Sequence, residues 1–267
     1  MVSMTGGGVN DVPALKRADV GVGMGVTGTD VAKESADLVL LDDNFATLVA
    51  AVKEGRAIYD NIRRIVRFTL AGNIGRTLAM LLTPFLGASI PLLPLQLLWL
   101  SLLIDGLLGL AIGVEEVKND TMKRPPSSES EGLLSGGAGR QAIWVGLLIG
   151  SMALGLGVWY YFRAREDWQT MVFTFLAFAQ VFQAWVPRFS RDSLFKLGFS
   201  GNPLLTGMSL LVMVLQLLVL YLLPLREFFN LTVLGAFDLL IAVGAAAVVF
   251  LAMDVQKWGR GRKSRDE

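Results

Sequence analysis

The sequence predicts an α-helical membrane bundle of six transmembrane helices, preceded by a partial α/β segment. Three observations predict it. Of the 267 residues, 53% are hydrophobic and only 18% are charged, and the mean hydropathy is +0.55, too apolar for a soluble globule. Mixed-polar sequence fills the stretch up to Arg67. From Phe68 onward the chain falls into six apolar runs, each near the ~20 helical residues that cross a ~30 Å hydrocarbon core.

The polar head alternates as an α/β unit does. A strand over 2–4 leads into Thr5-Gly6-Gly7-Gly8-Val9-Asn10-Asp11. A helix opens at Val12-Pro13-Ala14, with Pro in the first turn, where its missing N–H does no harm. A strand over 19–24, a helix over 29–36 with a hydroxyl or carboxylate cap and a strand over 38–41 follow. A helix over 44–68 then runs into the membrane, its 57–67 part a cytoplasmic stalk. Three short parallel strands cannot cover both faces of a sheet, so residues 1–56 are expected to be the trailing part of a larger doubly wound domain whose preceding strands are missing. Gly23, Gly25 and Gly28 spell G-x-G-x-x-G after a strand and before a helix, the dinucleotide fingerprint. The next strand follows after only about ten residues, which is too compressed for the usual unit and argues against it.

The membrane region, 68–256, is expected to cross at 68–86, 90–113, 142–162, 168–186, 204–223 and 233–253, with helical hairpins at its short loops. The first run begins too far in for a secretory signal. Lys and Arg in the loops fall 17 on one side against 3 on the other, which places both termini in the cytoplasm of a multi-pass protein of the cell membrane. The basic tail, 257–267, reads as a positive-inside anchor on a lipid bilayer. Trp residues lie mostly near span ends, as in an aromatic belt. Zero Cys and zero His exclude disulfides, thiol nucleophiles, Cys/His zinc sites and His-based triads. The net charge of +1 suggests no nucleic-acid partner.

The string from Met4 to Asp19, with Thr5-Gly6-Gly7-Gly8-Val9-Asn10-Asp11-Val12-Pro13-Ala14-Leu15-Lys16 at its heart, resembles the hinge motif M-T-G-D-G-x-N-D-x-P-A-L-K-x-A-D of P-type cation-transporting ATPases. Gly23 to Asp37, Leu41 to Phe45, Glu54 to Tyr59, Gln96 to Trp99 with Asp105-Gly106, and Arg124-Pro125-Pro126 are similar to the type II, calcium-pump-like branch. The resemblance covers essentially the whole chain and implies the C-terminal portion of such a pump. The head would then be the end of a haloacid-dehalogenase-like phosphorylation domain, with Thr5 and Gly6 near the transferred phosphoryl group and Asn10 and Asp11 supporting phosphate and metal. An aspartyl phosphate needs a hard cation and fixed N–H donors to offset its charge.

The departures matter as much. Gly7 stands where the family's Mg²⁺-binding Asp is expected, and Asp11 is left as a supporting group. The D-K-T-G-T nucleophile, the nucleotide-binding and actuator domains and the first four spans have no counterpart in the sequence. No cofactor is therefore expected for this chain alone; Mg²⁺ and ATP belong to the full-length family. The implied function is that of a C-terminal fragment in ATP-driven cation transport, unable to hydrolyse ATP by itself: either a complementary N-terminal pump chain completes it or the gene is truncated. The alternatives are a non-catalytic remnant that modulates a full pump and, more weakly, a nucleotide-binding head on a membrane anchor.

Ionisable groups at bilayer depth cost ~2.5–3.5 kcal/mol each on insertion scales and mark function by default. Asn73 and Arg76 share a face of span one, Ser101 and Asp105 a face of span two, and Gln180 and Gln183 a face of span four. An Arg76–Asp105 ion pair is expected, with Gly106 and Gly109 marking an interrupted helix. By resemblance, Arg76, Ser101, Ile104 and Gln180 replace calcium-pump donors, and Asp105 is the one carboxylate left. That favours a proton-like cation over Ca²⁺, which wants 6–8 oxygens. Pinning two helices together is the competing reading of the pair. Gly146, Gly150, Gly155 and Gly157 are expected at close helix contacts, and Asp238 is expected to snorkel or cap.

Overall fold

A computed structural model describes residues 2–115, 121–123, 132–135, 137–186 and 202–263, with side chains to residue 256. Lys118, Arg124, Pro125, Pro126, Arg188, Arg191, Lys196 and the side chains of the basic tail lie outside the described residues. The chain divides into two units, one of residues 1–60 with 117–132, the other of 61–116 with 133–267.

The first unit holds a parallel sheet in the order β1 (Ser3–Gly6), β2 (Val20–Met24), β3 (Leu38–Leu40). Thr5 pairs with Val22, and Val22 with Leu38. Parallel neighbours require crossovers; these are α1 (Val12–Arg17), opened by Pro13, and α2 (Asp30–Ser35), capped by the Thr29 hydroxyl. Leu15, Val22, Ala32 and Leu40 form its core. Both helices and all three strands lie within two residues of their expected places. A long helix, α3 (Phe45–Leu82), then begins where Asn44 Oδ1 accepts from the Ala46 N–H at 2.9 Å. It stops where the Thr83 hydroxyl turns back to the Ala79 carbonyl and Gly87 adopts φ 83.

The second unit is helical. After α3 come α4 (Pro94–Leu98), a π turn (Trp99–Ile104) and α5 (Asp105–Gly113), stacked end to end. They are followed by α6 (Ala138–Phe162), α7 (Trp168–Trp185), α8 (Pro203–Tyr221), the short α9 (Leu223–Phe228) and α10 (Ala236–Lys263). Among the described residues, five helical stretches are long and apolar enough to cross a membrane: Phe45–Leu86, Pro94–Gly113, Ala138–Phe162, Pro203–Tyr221 and Ala236–Gln256. The expected span at 168–186 is not among them. Helix α7 has only 18 residues, three of them glutamine, and 15 of the 18 are buried. It is the hub of this unit, packed on α10 and α6 and also touching α8 and α5. Its polarity is turned toward other helices, so its composition need not match lipid.

Glycine sets the approach of α6 to α3. A Cβ at Gly146 would lie 2.6 Å from Ile74 Cβ, and one at Gly150 would lie 2.6 Å from Leu78 Cδ2. Gly157 meets Val172 of α7 in the same way, whereas Gly155 faces open space, contrary to its expected packing role. Asn202 ties two helices. Its Oδ1 accepts the Leu205 N–H at the start of α8, and its Nδ2 donates to the Ala111 carbonyl near the end of α5. Asn61 Nδ2 donates to the carbonyls of Gly113 and Glu115 at that same end, so carbonyls that a helix terminus leaves orphaned are satisfied from two other elements.

Candidate functional site

In the first unit, the turn after β1 folds onto its own carboxylate. Asp11 Oδ2 accepts the N–H groups of Gly7 at 3.0 Å and Gly8 at 2.8 Å. A Cβ at Gly6 would strike Asp11 Cβ at 2.5 Å, which is why glycine stands there. The Gly7 carbonyl is bound by the Thr29 N–H and hydroxyl. Thr5 is half-buried on β1, and Asn10 is exposed.

The glycine-rich turn after β2 has an equally internal occupant. Asp43, at φ 49, places Oδ1 on the N–H groups of Gly25 and Val26 at 2.6 and 3.0 Å, and Oδ2 on the N–H and hydroxyl of Thr27 at 2.7 and 2.6 Å. The Thr27 hydroxyl and these amides hold its carboxyl at about 2, well below the usual carboxylate value. The donors that a dinucleotide pyrophosphate would need are already engaged by the chain's own anion.

The second unit gathers Arg76, Asp105, Gln180 and Gln183 along one stripe of α3. Phe68, Gly72 and Arg76 recur every four residues and so share a face. Gln183 of α7 donates Nε2 to the Phe68 carbonyl at 3.1 Å. Gln180 lies directly on Gly72, where any Cβ would collide with its amide. Arg76 Nη2 donates to Asp105 Oδ2 at 2.5 Å and to Asn73 Oδ1 at 2.7 Å. The Arg76 and Asp105 side chains are 4% and 5% exposed. Arg76 Nη1, Asp105 Oδ1, Gln180 Oε1 and Gln183 Oε1 are buried without a hydrogen-bond partner. Orphaned buried polar atoms are uncommon and each calls for a cause; four of them lie along this stripe.

Three expectations are corrected here. Ser101 does not share a face with Asp105: it is exposed, and its hydroxyl donates to the Leu97 carbonyl of its own helix at 2.6 Å. The irregularity in this span is not at Gly106 and Gly109, which sit within regular α5, but in the π turn that ends immediately before Asp105. That turn holds one residue more than an α turn and breaks the four-residue rule. Asp238 neither snorkels nor acts as a simple cap. Arg165 Nη1 and Nη2 reach its two oxygens at 2.9 and 2.6 Å, the Tyr160 hydroxyl donates to Oδ1 at 2.6 Å, and Arg165 also grips Asp167. The carboxylates of Asp167 and Asp238 push the Arg165 guanidinium above its ordinary value. Sequence reasoning missed Thr174, whose buried hydroxyl has no partner, and the buried Gln216 and Asn202; Gln96 entered it only as part of a family motif. Only Asn202 had a readable signal, an Asn-Pro pair opening an apolar run.

The sequence model of the family described as "Cation transporting ATPase, C-terminus" matches residues 89–259, well over half of the chain. The chain belongs to the cation-transporting P-type ATPases. A calcium-transporting ATPase of Bacillus subtilis is 41% identical over 93% of the chain and 28% of its own length. Calcium-transporting ATPase 1 of Schizosaccharomyces pombe is 35% identical over 98% of the chain and 30% of its own length. The human calcium-transporting ATPase type 2C member 1 is 35% identical over 96% of the chain and 28% of its own length. The sequence thus spans under a third of the length of these relatives and corresponds to the C-terminal portion of a pump. Among the described residues of the first unit, the position where the family's Mg²⁺-binding Asp is expected is poorly furnished with donors. Gly7 brings no donor, Asp11 Oδ2 is engaged by two amides, and no group of three or more acidic side chains forms a metal cluster among the described residues.

Proposed function

We propose that this chain supplies the membrane-embedded, cation-carrying part of a P-type pump, with Asp105 as the carrying carboxylate and a proton as the favoured cation. The observation that carries this reading is the α3 stripe, where one buried carboxylate faces a permanent cation, Arg76, and the nearby buried acceptors are amide oxygens. A Ca²⁺ cage takes 6–8 oxygens and compensating negative charge. With the Asp105 charge already balanced by Arg76, a bound proton adds one positive charge to the site where Ca²⁺ would add two, so the proton carries the smaller electrostatic cost of the two cations. The relatives' names carry calcium, so the cation is the point to test.

In this reading six helices cross the bilayer: α3, the α4–α5 stack, α6, α7, α8 and α10. Both chain ends lie on the cytoplasmic side, and the energising chemistry, with ATP and Mg²⁺, comes from an N-terminal pump segment carrying the D-K-T-G-T nucleophile. Residues 1–56 would be the haloacid-dehalogenase-like end of that phosphorylation domain, with Thr5, Gly6, Asn10 and Asp11 lining what remains of the phosphate site. Asn73, Gln180 and Gln183 would border the ion path beside Arg76 and Asp105; Ser101 has no place in it.

The test pairs radiocalcium binding to the purified chain with infrared difference spectra across a pH step. The expected result is a titrating carboxyl band that Asp105→Asn removes, with no saturable calcium binding. A saturable calcium site abolished by Asp105→Asn, with no titrating carboxyl, would overturn the proton assignment.

A further inference from the structure

An α-helix running unbroken from Pro94 would carry Ser101 and Asp105 on one face, because four residues make just over one turn. Ser101 is instead exposed, and Asp105 is 6% exposed. The turn over Trp99–Ile104 accounts for the difference. The Asp105 N–H reaches back to the Leu100 carbonyl, a five-residue step. Everything after it is therefore rotated by about 100° from the register an α turn would give.

The turn is held from inside and from outside. Within it, the Ser101 hydroxyl donates to the Leu97 carbonyl. From outside, Trp99 Nε1 donates to Oε1 of Gln216 on α8 at 3.0 Å. The Trp99 ring meets Phe229 edge-on with centroids 5.1 Å apart, and Gln96 Nε2 donates to the Phe229 carbonyl at 3.0 Å. Gln216 is 1% exposed, and its Nε2 has no partner. An amide kept this deep while half satisfied spends its one observed bond on the first residue of the π turn.

We propose that Gln216 is a positioning residue for Asp105: by holding Trp99 it fixes the π turn, and the π turn sets the face on which Asp105 meets Arg76. Its functional meaning rests on Asp105 as the cation-carrying group, but the register itself is measurable without that reading.

The chain has no cysteine, so spin labels can be placed at Leu110→Cys on α5 and Leu210→Cys on α8, both exposed, in the full chain in lipid nanodiscs. Gln216→Leu is expected to let the turn relax to α. A label on α5 would then swing by about 100° on a radius of about 5–6 Å, a displacement of about 8 Å. The Asp105 carboxyl band, identified by its loss in Asp105→Asn, is expected to shift at the same time. Deleting Leu102, an exposed residue of the turn, removes the extra residue, so that an ordinary α turn delivers Asp105 to its original face. In that background Gln216→Leu is expected to leave the distance and the band as in the parent. An unmoved distance and band in Gln216→Leu overturns the proposal, and so does a shift that the Leu102 deletion fails to cancel. Where Gln216→Leu does not fold, Trp99→Phe takes its place in both arms, since it removes the N–H and keeps the ring. If Asp105 carries no cation, the label distance still responds while its carboxyl fails to titrate, so the two failures are distinguishable.

Discussion

Removing Arg76 is the sharpest perturbation of the α3 stripe. At 2.5 Å and an effective dielectric constant of about 20, the attraction between Arg76 and Asp105 amounts to roughly 6–7 kcal/mol. Desolvating each ion takes back several kcal/mol, so the pair as a whole is worth little against an apolar pair of similar volume. A single truncation behaves differently, because it strands the other charge at a site under one-tenth exposed. Arg76→Met and Asp105→Leu are each expected to destabilise the protein by about 3–5 kcal/mol, while the double variant stays within about 2 kcal/mol of the parent or exceeds it. Reversible unfolding in mixed detergent micelles, run on all four proteins, measures the cycle. Effects that simply add, with the double variant the least stable of the four, would show that the two groups do not neutralise each other and would remove the basis for treating them as one site.

Three further predictions concern single residues. Asp43 has its pKa lowered to about 2, so its contribution to the first unit is complete above the ordinary carboxylate value near 3.8 and is lost as pH falls through about 2. Hydrogen exchange at the Val26 and Thr27 amides, corrected for intrinsic rates, should lose protection across that window and at neutral pH in Asp43→Asn, while Gly25, which also donates to the Leu40 carbonyl, stays protected. Gly146→Ala, whose Cβ meets Ile74 at 2.6 Å, should cost about 1–3 kcal/mol by forcing α3 and α6 apart, whereas Gly155→Ala should be neutral or stabilising by up to about 1 kcal/mol; thermal melts in detergent compare the two. Gly7→Asp should fold normally, since the nearest atom to its Cβ is Gly28 Cα at 3.4 Å, while Gly28→Ala should not, because its Cβ would overlap the Met24 carbonyl; proteolytic protection of the first unit distinguishes them.

The legible features share a cause. Apolar runs, a Pro in the first turn and a Thr or Asn before a helix act over neighbouring residues, so α6, α8 and the crossovers of the small sheet fell within a few residues of their expected limits. The Arg76–Asp105 contact was readable because two costly groups at similar depth in adjacent helices have few other partners. Ser101 misled because the face rule assumes α geometry, and nothing local announces a π turn held by a glutamine far along the chain. The partners of Asp238 were hidden for the same reason, since Arg165 is distant from it in sequence. The Gly23–Gly28 fingerprint is weak in sequence, since Gly-rich βα turns are common and its spacing is compressed; what fills it, Asp43 seated on its amides, comes from a residue well down the chain.

Helix α7 has a consequence for how such chains are counted. It is buried against neighbouring helices on nearly all sides, so its side chains meet protein rather than lipid, and it is not among the stretches long and apolar enough to cross a membrane. In the six-crossing arrangement proposed above, leaving α7 out changes an even tally to an odd one, and parity alone then moves a terminus to the opposite compartment. In that arrangement, sidedness inferred from oily stretches alone is wrong by that single omission, and the loop charges are the better guide.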